Sequence, residues 1–187
     1  MESNRRDFLK TTGTIGAATL LSSTSLLIAC KQEGNEKAVS PPEDLMQEHG
    51  LLNRILLIYD HCKIKLTNKE SFSAVNLFHA ASIIRAFVED YHEKQEENYL
   101  FPRFQKANQL TDLVNTLLLQ HQKGRLLTDQ ILSISKSQSS IESENQKLIG
   151  MLSRFNTMYR PHEAREDTVL FPAFRKLVSQ HEYDSLG

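Results

Sequence analysis

An internal repeat constrains the fold of this chain more than any other feature of its sequence. The segment His-Glu-Lys-Gln-Glu-Glu-Asn-Tyr-Leu-Phe-Pro-Arg-Phe begins at His92, and His-Glu-Ala-Arg-Glu-Asp-Thr-Val-Leu-Phe-Pro-Ala-Phe begins at His162, 70 residues later. Ahead of them lie Leu-Met-Gln-Glu-His, ending at His49, and Leu-Leu-Leu-Gln-His, ending at His121, 72 residues later. Because a two-helix unit cannot bury its own apolar face, the repeat predicts two helical hairpins that face each other.

Apolar residues recur at helical spacing from residue 43 onward, and no segment alternates in the manner of a β-strand. The predicted helices run from about Pro42 to Leu66, from near Ser71 past Phe101, from Thr111, and from near Ile141 after a serine-rich loop at 133–140. Four helices with short connections predict an all-α, up-down-up-down antiparallel four-helix bundle over residues 42–180, followed by a tail at 181–187.

Residues 1–29 have the features of an export signal and are set apart from the fold. Arg5 and Arg6 precede Phe-Leu-Lys, which resembles the twin-arginine signal. The apolar stretch at 11–29 is marginally long and too weakly hydrophobic for a permanent membrane span. It ends in Leu-Ile-Ala ahead of Cys30, which resembles a lipoprotein box with Cys30 as the lipid attachment site. The alternative is an ordinary cleavage site with an incidental cysteine.

The polar, charged segment at 30–41 predicts a tether between the lipid and the bundle. We therefore expect an exported bacterial lipoprotein, anchored to a membrane and facing the periplasm or the cell exterior. With Cys30 acylated, Cys62 has no cysteine to pair with and is expected to be a small buried hydrophobe. A formal net charge of −1 without a basic stripe argues against a nucleic-acid partner.

Each predicted helix carries one histidine on its apolar face, and two carboxylates accompany them. These candidate metal ligands are His49, His92, Glu96, His121, His162 and Glu166. In each His-x-x-x-Glu pair the i+4 spacing adds only about 40° to a full turn, so both side chains point the same way. Imidazoles and carboxylates that converge inside a bundle suit iron, manganese or zinc. Without a metal, unpaired buried carboxylates would be strongly destabilising.

Single motifs of this kind are weak signals, since a lone histidine on an apolar face is usually a core residue. Six residues repeated over two hairpins are not explained in that way. The zinc-protease helix requires His where Glu96 stands, and ferritin-like bundles use Glu-x-x-His in the opposite order. His61, His79 and His181 lie off the ligand faces or in the tail, and we expect none of them to bind metal.

The His-x-x-x-Glu pairs followed by Leu-Phe-Pro, with a lone histidine on the helix before each, resemble the hemerythrin-like (HHE) cation-binding domain. The resemblance covers residues 45–178. It implies a left-handed four-helix bundle with two non-haem iron ions, and manganese or zinc as the alternatives. It also implies that Glu96 and Glu166 bridge the metals, with the four histidines as terminal ligands.

One position departs from the oxygen-carrying members of that family, which have a second histidine one turn after the third-helix ligand. Here that position is Arg125, which cannot ligate a metal, and the equivalent first-helix position is Asn53. This argues against reversible oxygen carriage. We expect Arg125 to pair with Glu166 or Glu163.

Further carboxylates could complete the centre. Glu93 and Glu163 directly follow their histidines, and with Glu96 and Glu166 they would balance the charge of two iron(II) ions. Position i+1 points about 100° away from the histidine, so the alternative that both are solvated charges stays open. Asp167 is another possible ligand, because the fourth-helix acid of hemerythrins lies at i+5.

The function implied by the resemblance is to bind, store or sense iron, oxygen or nitric oxide, so the expected partner is iron or a small diatomic ligand. The alternative is a di-iron redox enzyme, either an oxidase or peroxidase or an iron–sulfur repair protein. The sequence contains no recognisable base, nucleophile or substrate cleft outside the metal ligands, which favours binding.

Overall fold

Four long helices form the fold of the computed structural model, which describes residues 39–185. They are α1 (Pro41–Thr67), α2 (residues 74–106), α3 (Thr111–Ile134) and α5 (residues 145–177), with two short helices, α4 (Gln138–Ser143) and α6 (Gln180–Ser185). The predictions for the export signal, including Arg5, Arg6 and Cys30, and for most of the tether lie outside the described residues.

Local sequence explains where the helices begin and end. Pro41 occupies the first position of α1, where its missing N–H is not needed. The Ser73 hydroxyl accepts a hydrogen bond from the Asn76 backbone N–H (3.3 Å) and caps α2. Past the ends of α1 and α2, Lys69 (φ 58°) and Asn108 (φ 54°) adopt the left-handed conformation that commonly stops a helix.

Each long helix packs against two others: α1 against α2 and α5, and α3 against α2 and α5. Short connections make successive helices antiparallel. The prediction of an all-α helical bundle is confirmed, and the described residues contain no strand.

Two separate apolar clusters fill the bundle, with a polar layer between them. The larger cluster includes Leu56, Leu77, Leu148 and Phe155, and the smaller one is built around Phe104 and its neighbours near the other end. The predicted metal ligands lie along each helix between residues of the two clusters. The apolar packing therefore holds the helices in position on both sides of the ligand layer.

Helices α2 and α5 are not uniform α-helices, a feature that the sequence analysis missed. π-Helical segments occur at Ile84–His92, Glu96–Leu100 and Glu166–Leu170. The last two occupy equivalent places in the repeat, directly before a Phe-Pro pair. Proline lacks an N–H and its ring clashes with the carbonyl four residues earlier, and the wider π turn accommodates both effects.

The predicted serine-rich loop is wrong in part. Helix α3 extends to Ile134, and the Ser137 hydroxyl caps α4 by accepting a hydrogen bond from the Ser140 N–H (3.2 Å). The fourth long helix consequently begins at Asn145 rather than near Ile141. The predicted tail likewise contains α6, whose Tyr183 ring packs near that of Phe174 (6.3 Å between centroids).

Cys62 is buried in the larger cluster with a free thiol, as predicted. Burial raises the pKa of this thiol to about 11, so it is unreactive at neutral pH.

None of the described helices has the length and apolar character needed to cross a bilayer.

A close contact between α3 and α5 depends on Gly124. A Cβ atom built on Gly124 would lie 2.0 Å from the Tyr159 hydroxyl oxygen and 2.8 Å from its Cζ. The Tyr159 ring is buried and stacks on Phe155 at 4.3 Å between centroids, so it has little room to move. Glycine at position 124 thus allows the tyrosine to lie across α3.

We predict that Gly124→Ala lowers the free energy of unfolding by about 1–3 kcal/mol, because the new methyl group overpacks the contact with Tyr159. Gly150→Ala is the matched control, since its Cβ would meet only Arg154 Nη2 at 3.8 Å. That change should stabilise the helix by about 0.5–1 kcal/mol. Urea unfolding followed by circular dichroism measures both, and equal effects would contradict the proposed contact.

Candidate metal centre

The structure brings the six predicted ligands together in the buried layer between the apolar clusters. None of their side chains exceeds 5% exposure. The rings form two pairs, with centroids 4.9 Å apart for His49 and His92 and 5.0 Å apart for His121 and His162. His61, His79 and His181 are exposed, and none belongs to a potential metal-binding group among the described residues.

The first metal position lies between His49 and His92. The Nε2 atom of His49 is 3.4 Å from Glu166 Oε2, and that of His92 is 3.8 Å from Glu96 Oε1. The donor atoms of His49, His92 and Glu96 lie within 4.8 Å of one another here, and Glu166 approaches this position from the His49 side.

The second metal position lies between His121 and His162, whose Nε2 atoms are 3.3 Å apart. The Nε2 atom of His121 is 3.5 Å from Glu96 Oε2, and that of His162 is 3.1 Å from Glu166 Oε1. Each glutamate thus directs one oxygen to each histidine pair, which is the arrangement required of a bridging carboxylate.

Unsatisfied buried atoms make this layer a plausible cation site on physical grounds. Among the described residues, both side-chain oxygens of Glu96 and Glu166 and the Nε2 atom of His49 have no hydrogen-bond partner. The short contacts between these groups are not aligned as hydrogen bonds. Buried polar atoms without partners are strongly destabilising, and divalent cations at the two positions would satisfy them. The donor set therefore fits a metal.

A second set of residues holds the outer nitrogen of each imidazole. The Nδ1 atoms lie 2.9 Å from Asp167 Oδ1 for His49, 2.9 Å from Glu48 Oε2 for His92, 3.1 Å from Glu97 Oε1 for His121 and 3.0 Å from Gln120 Oε1 for His162. A carboxylate or amide oxygen at Nδ1 fixes the proton there and leaves Nε2 as the ligand atom. All four rings are therefore oriented for metal binding.

The sequence analysis missed Glu48, Glu97 and Gln120, although the repeat contains their signal. Two of these partners directly precede a ligand histidine, and the other two directly follow a bridging glutamate. Asp167, predicted as a possible ligand, belongs to this outer set because its oxygen faces Nδ1 of His49, on the far side of the ring from Nε2.

The partner predicted for Arg125 is wrong. Its Nη2 atom lies 2.7 Å from Glu93 Oε2 and 2.7 Å from Glu97 Oε1, both on α2. The cause is geometric: α3 packs against both α2 and α5, and the Arg125 side chain, one turn after His121, extends toward α2.

Glu93 and Glu163 are both buried, which excludes the alternative that they are solvated charges. The Tyr159 hydroxyl donates to Glu93 Oε1 (2.7 Å), and Arg125 donates to its other oxygen. Glu163 Oε2 accepts from Asn53 Nδ2 (2.5 Å), whereas its Oε1 has no partner among the described residues. The two glutamates are therefore equivalent in the repeat but not in their contacts.

The Leu-Phe-Pro motif has a structural role at this centre. Phe101 stacks on His121 at 5.6 Å between centroids, and Phe171 stacks on His49 at 5.8 Å. Each phenylalanine thus packs against the lone histidine of the other hairpin. This explains why the motif recurs at the same distance after each His-x-x-x-Glu pair.

In the absence of metal, the two central carboxylates, Glu96 and Glu166, differ in protonation. Burial and the nearby Glu166 charge raise the pKa of Glu96 well above its usual range. Burial opposes ionisation of Glu166 too, but His162 and His49 hold its pKa below the usual range. Two carboxylates so close together in an apolar interior favour one proton between them.

Comparisons with known proteins give a consistent result. The sequence model described as the hemerythrin HHE cation-binding domain matches residues 40–174. The chain is similar to uncharacterized proteins of Mycobacterium bovis and of two Mycobacterium tuberculosis strains, each 43% identical over 153 residues. The match covers 81% of this chain but only 60% of the length of these relatives. No solved structure matches the chain at a significant level.

We predict that the metal-free protein becomes less stable as the pH rises from about 6.5 to 9. Burial raises the pKa of Glu93 to about 8 and that of Glu163 to about 7, so the folded state holds these protons more tightly than the unfolded state. The resulting stability is fully present below the unfolded pKa and is lost as the pH passes the folded values.

Urea unfolding of the metal-free protein at several pH values tests this expectation. Glu93→Gln should reduce the pH dependence, because an amide does not titrate. Stability that rises with pH over this range, or a pH dependence that Glu93→Gln leaves unchanged, would contradict the assignment.

Proposed function

The chain belongs to the hemerythrin HHE cation-binding domain family, and we propose that it holds a non-haem centre of two iron ions between its four long helices. One observation supports this proposal above all: four buried carboxylate oxygens, for which the described part of the chain offers no hydrogen-bond partner, lie among four imidazole Nε2 atoms. Nitrogen and oxygen ligands of this kind suit iron(II), and manganese or zinc are the competing metals.

In this proposal Glu96 and Glu166 bridge the two ions. His49 and His92 hold one ion and His121 and His162 hold the other. Bound iron would supply coordination positions for a small diatomic ligand such as oxygen or nitric oxide. The protein would accordingly bind, store or sense iron or such a ligand.

Arg125 separates this centre from that of a reversible oxygen carrier. Its guanidinium occupies the place of a histidine ligand and is engaged by two carboxylates of α2. It therefore contributes positive charge beside the centre instead of a metal ligand. This supports binding or sensing rather than carriage of intact oxygen.

We also propose that the protein is exported through a twin-arginine signal and anchored through lipid on Cys30. The support is the order of the segments in the sequence: a twin arginine, a weakly apolar stretch and a small residue before cysteine. The metal domain would then face the periplasm or the cell exterior.

Anaerobic reconstitution of the metal-free full chain should give about two iron ions per chain, and bound iron should raise the melting temperature because it binds the folded state. His121→Ala should lower the affinity for iron by about tenfold or more, since it removes a ligand. His79→Ala is the control, because His79 is exposed on α2. Elemental analysis and calorimetry measure these effects. A chain that takes up no iron, or equal losses in the two variants, would overturn the proposed site.

Replacing Arg5 and Arg6 together with lysine should leave the precursor in the cytoplasm, because the twin-arginine signal requires both side chains. Cys30→Ser should release the mature protein from the membrane or block its processing, whereas Cys62→Ser should do neither. Cell fractionation and immunoblotting measure the outcome. Unimpaired export of the double-lysine variant would exclude the twin-arginine signal.

A further inference from the structure

The two metal positions share both bridging glutamates, yet the charges around them are unequal. Glu163 accepts a hydrogen bond from Asn53, one turn after His49 on α1, whereas Glu93 lies with Glu97 close to His121 and pairs with Arg125. The differences between these equivalent residues determine how strongly each position attracts a cation.

At the first position a carboxylate oxygen remains available. Glu163 is 4% exposed, one of its oxygens accepts from the neutral Asn53 side chain, and the other has no hydrogen-bond partner in the part of the chain that the structure describes. No lysine or arginine of the described residues forms an ion pair with it or with Asp167, which holds His49. The carboxyl groups on the His49 side of the centre are therefore not neutralised by a lysine or arginine of the described residues.

At the second position the corresponding carboxylate is engaged. Glu93 receives hydrogen bonds from Tyr159 on one oxygen and Arg125 on the other. Gly124 leaves the space that the tyrosine hydroxyl requires. Any negative charge on Glu93 is thus offset by a guanidinium.

The groups that hold the Nδ1 atoms of the histidines likewise provide less negative charge at the second position than at the first. At the second position Glu97 faces His121 but also forms ion pairs with Arg125 (2.7 Å) and Lys94 (2.6 Å). The partner of His162 is the neutral amide of Gln120. A carboxylate partner makes an imidazole a stronger ligand than an amide partner does.

We propose that the two positions fill in order: a divalent metal ion binds first and more tightly between His49 and His92, and a second ion binds more weakly between His121 and His162. This inference rests on the proposed function, since it requires that the centre takes two ions. The physical cause is that Arg125 repels a cation at the second position while Glu163 attracts one at the first. The weakly held ion is consequently the one that exchanges with the surroundings.

Calorimetric titration of the metal-free full chain with iron(II) under anaerobic conditions tests the order. We expect two steps whose affinities differ by about tenfold or more. His92→Gln should abolish the tight step and His162→Gln should abolish the weak one. Glu163→Gln should weaken the tight step several-fold.

Arg125→Gln should strengthen the weak step several-fold, because it removes the repelling charge. Arg85→Gln is the matched control: Arg85 has similar exposure (27% against 22%) and also pairs with a buried glutamate, Glu89. If Arg125→Gln fails to fold, Gln120→Glu adds negative charge beside His162 and should also strengthen the weak step.

The outcomes separate the two proposals. Absence of any iron binding would overturn the metal centre and the order together. Two steps of equal affinity, or loss of the tight step in His162→Gln, would overturn the order alone. An equal response to Arg125→Gln and Arg85→Gln would show that Arg125 does not set the difference.

Discussion

Burial of two carboxylates in the middle of an apolar bundle is the constraint on which the rest of this structure depends. Glu96 and Glu166 are fully buried, and none of their side-chain oxygens has a hydrogen-bond partner within residues 39–185. Removing an ionised carboxylate from water is unfavourable by several kcal/mol unless opposite charge or hydrogen bonds offset it. The apolar clusters on either side hold the helices in place, and four imidazoles bring ligand nitrogens to the same layer. Protons or cations must therefore balance the negative charge of these two carboxylates, and a cation site meets that requirement.

The repeat explains how a short chain builds such a layer. One hairpin supplies a lone histidine, a His-x-x-x-Glu pair and a Phe-Pro pair, and the second hairpin supplies the same set from the opposite side. Since each phenylalanine stacks on a histidine of the other hairpin, neither hairpin completes its half of the centre alone. The outer partners of the lone histidines follow the same rule, because Asp167 of α5 holds His49 of α1 and Glu97 of α2 holds His121 of α3.

Helical period and repeat spacing were sufficient to predict the bundle and the residues that meet in its interior. Both predictions depend on which face of a helix a residue occupies, and sequence spacing determines that face. The partner of Arg125 was not predictable in this way. A long side chain leaves its helix at an angle, and only the packing of α2 against α3 decides that it meets Glu93 and Glu97 instead of Glu166.

The π-helical segments before Pro102 and Pro172 change which face of the helix the following residues occupy. They do so without changing the spacing of apolar residues, so the sequence pattern did not predict them. The aromatic stacks determine which side of the centre is closed to water. Phe101 and Phe171, with the smaller apolar cluster behind them, close one end of the ligand layer against water. On the other sides, Asn53, which is exposed, and Arg125, which is partly exposed, join buried glutamates of the layer to the surface. The two halves of the bundle thus present different groups between the layer and solvent, a neutral amide in one half and a guanidinium in the other.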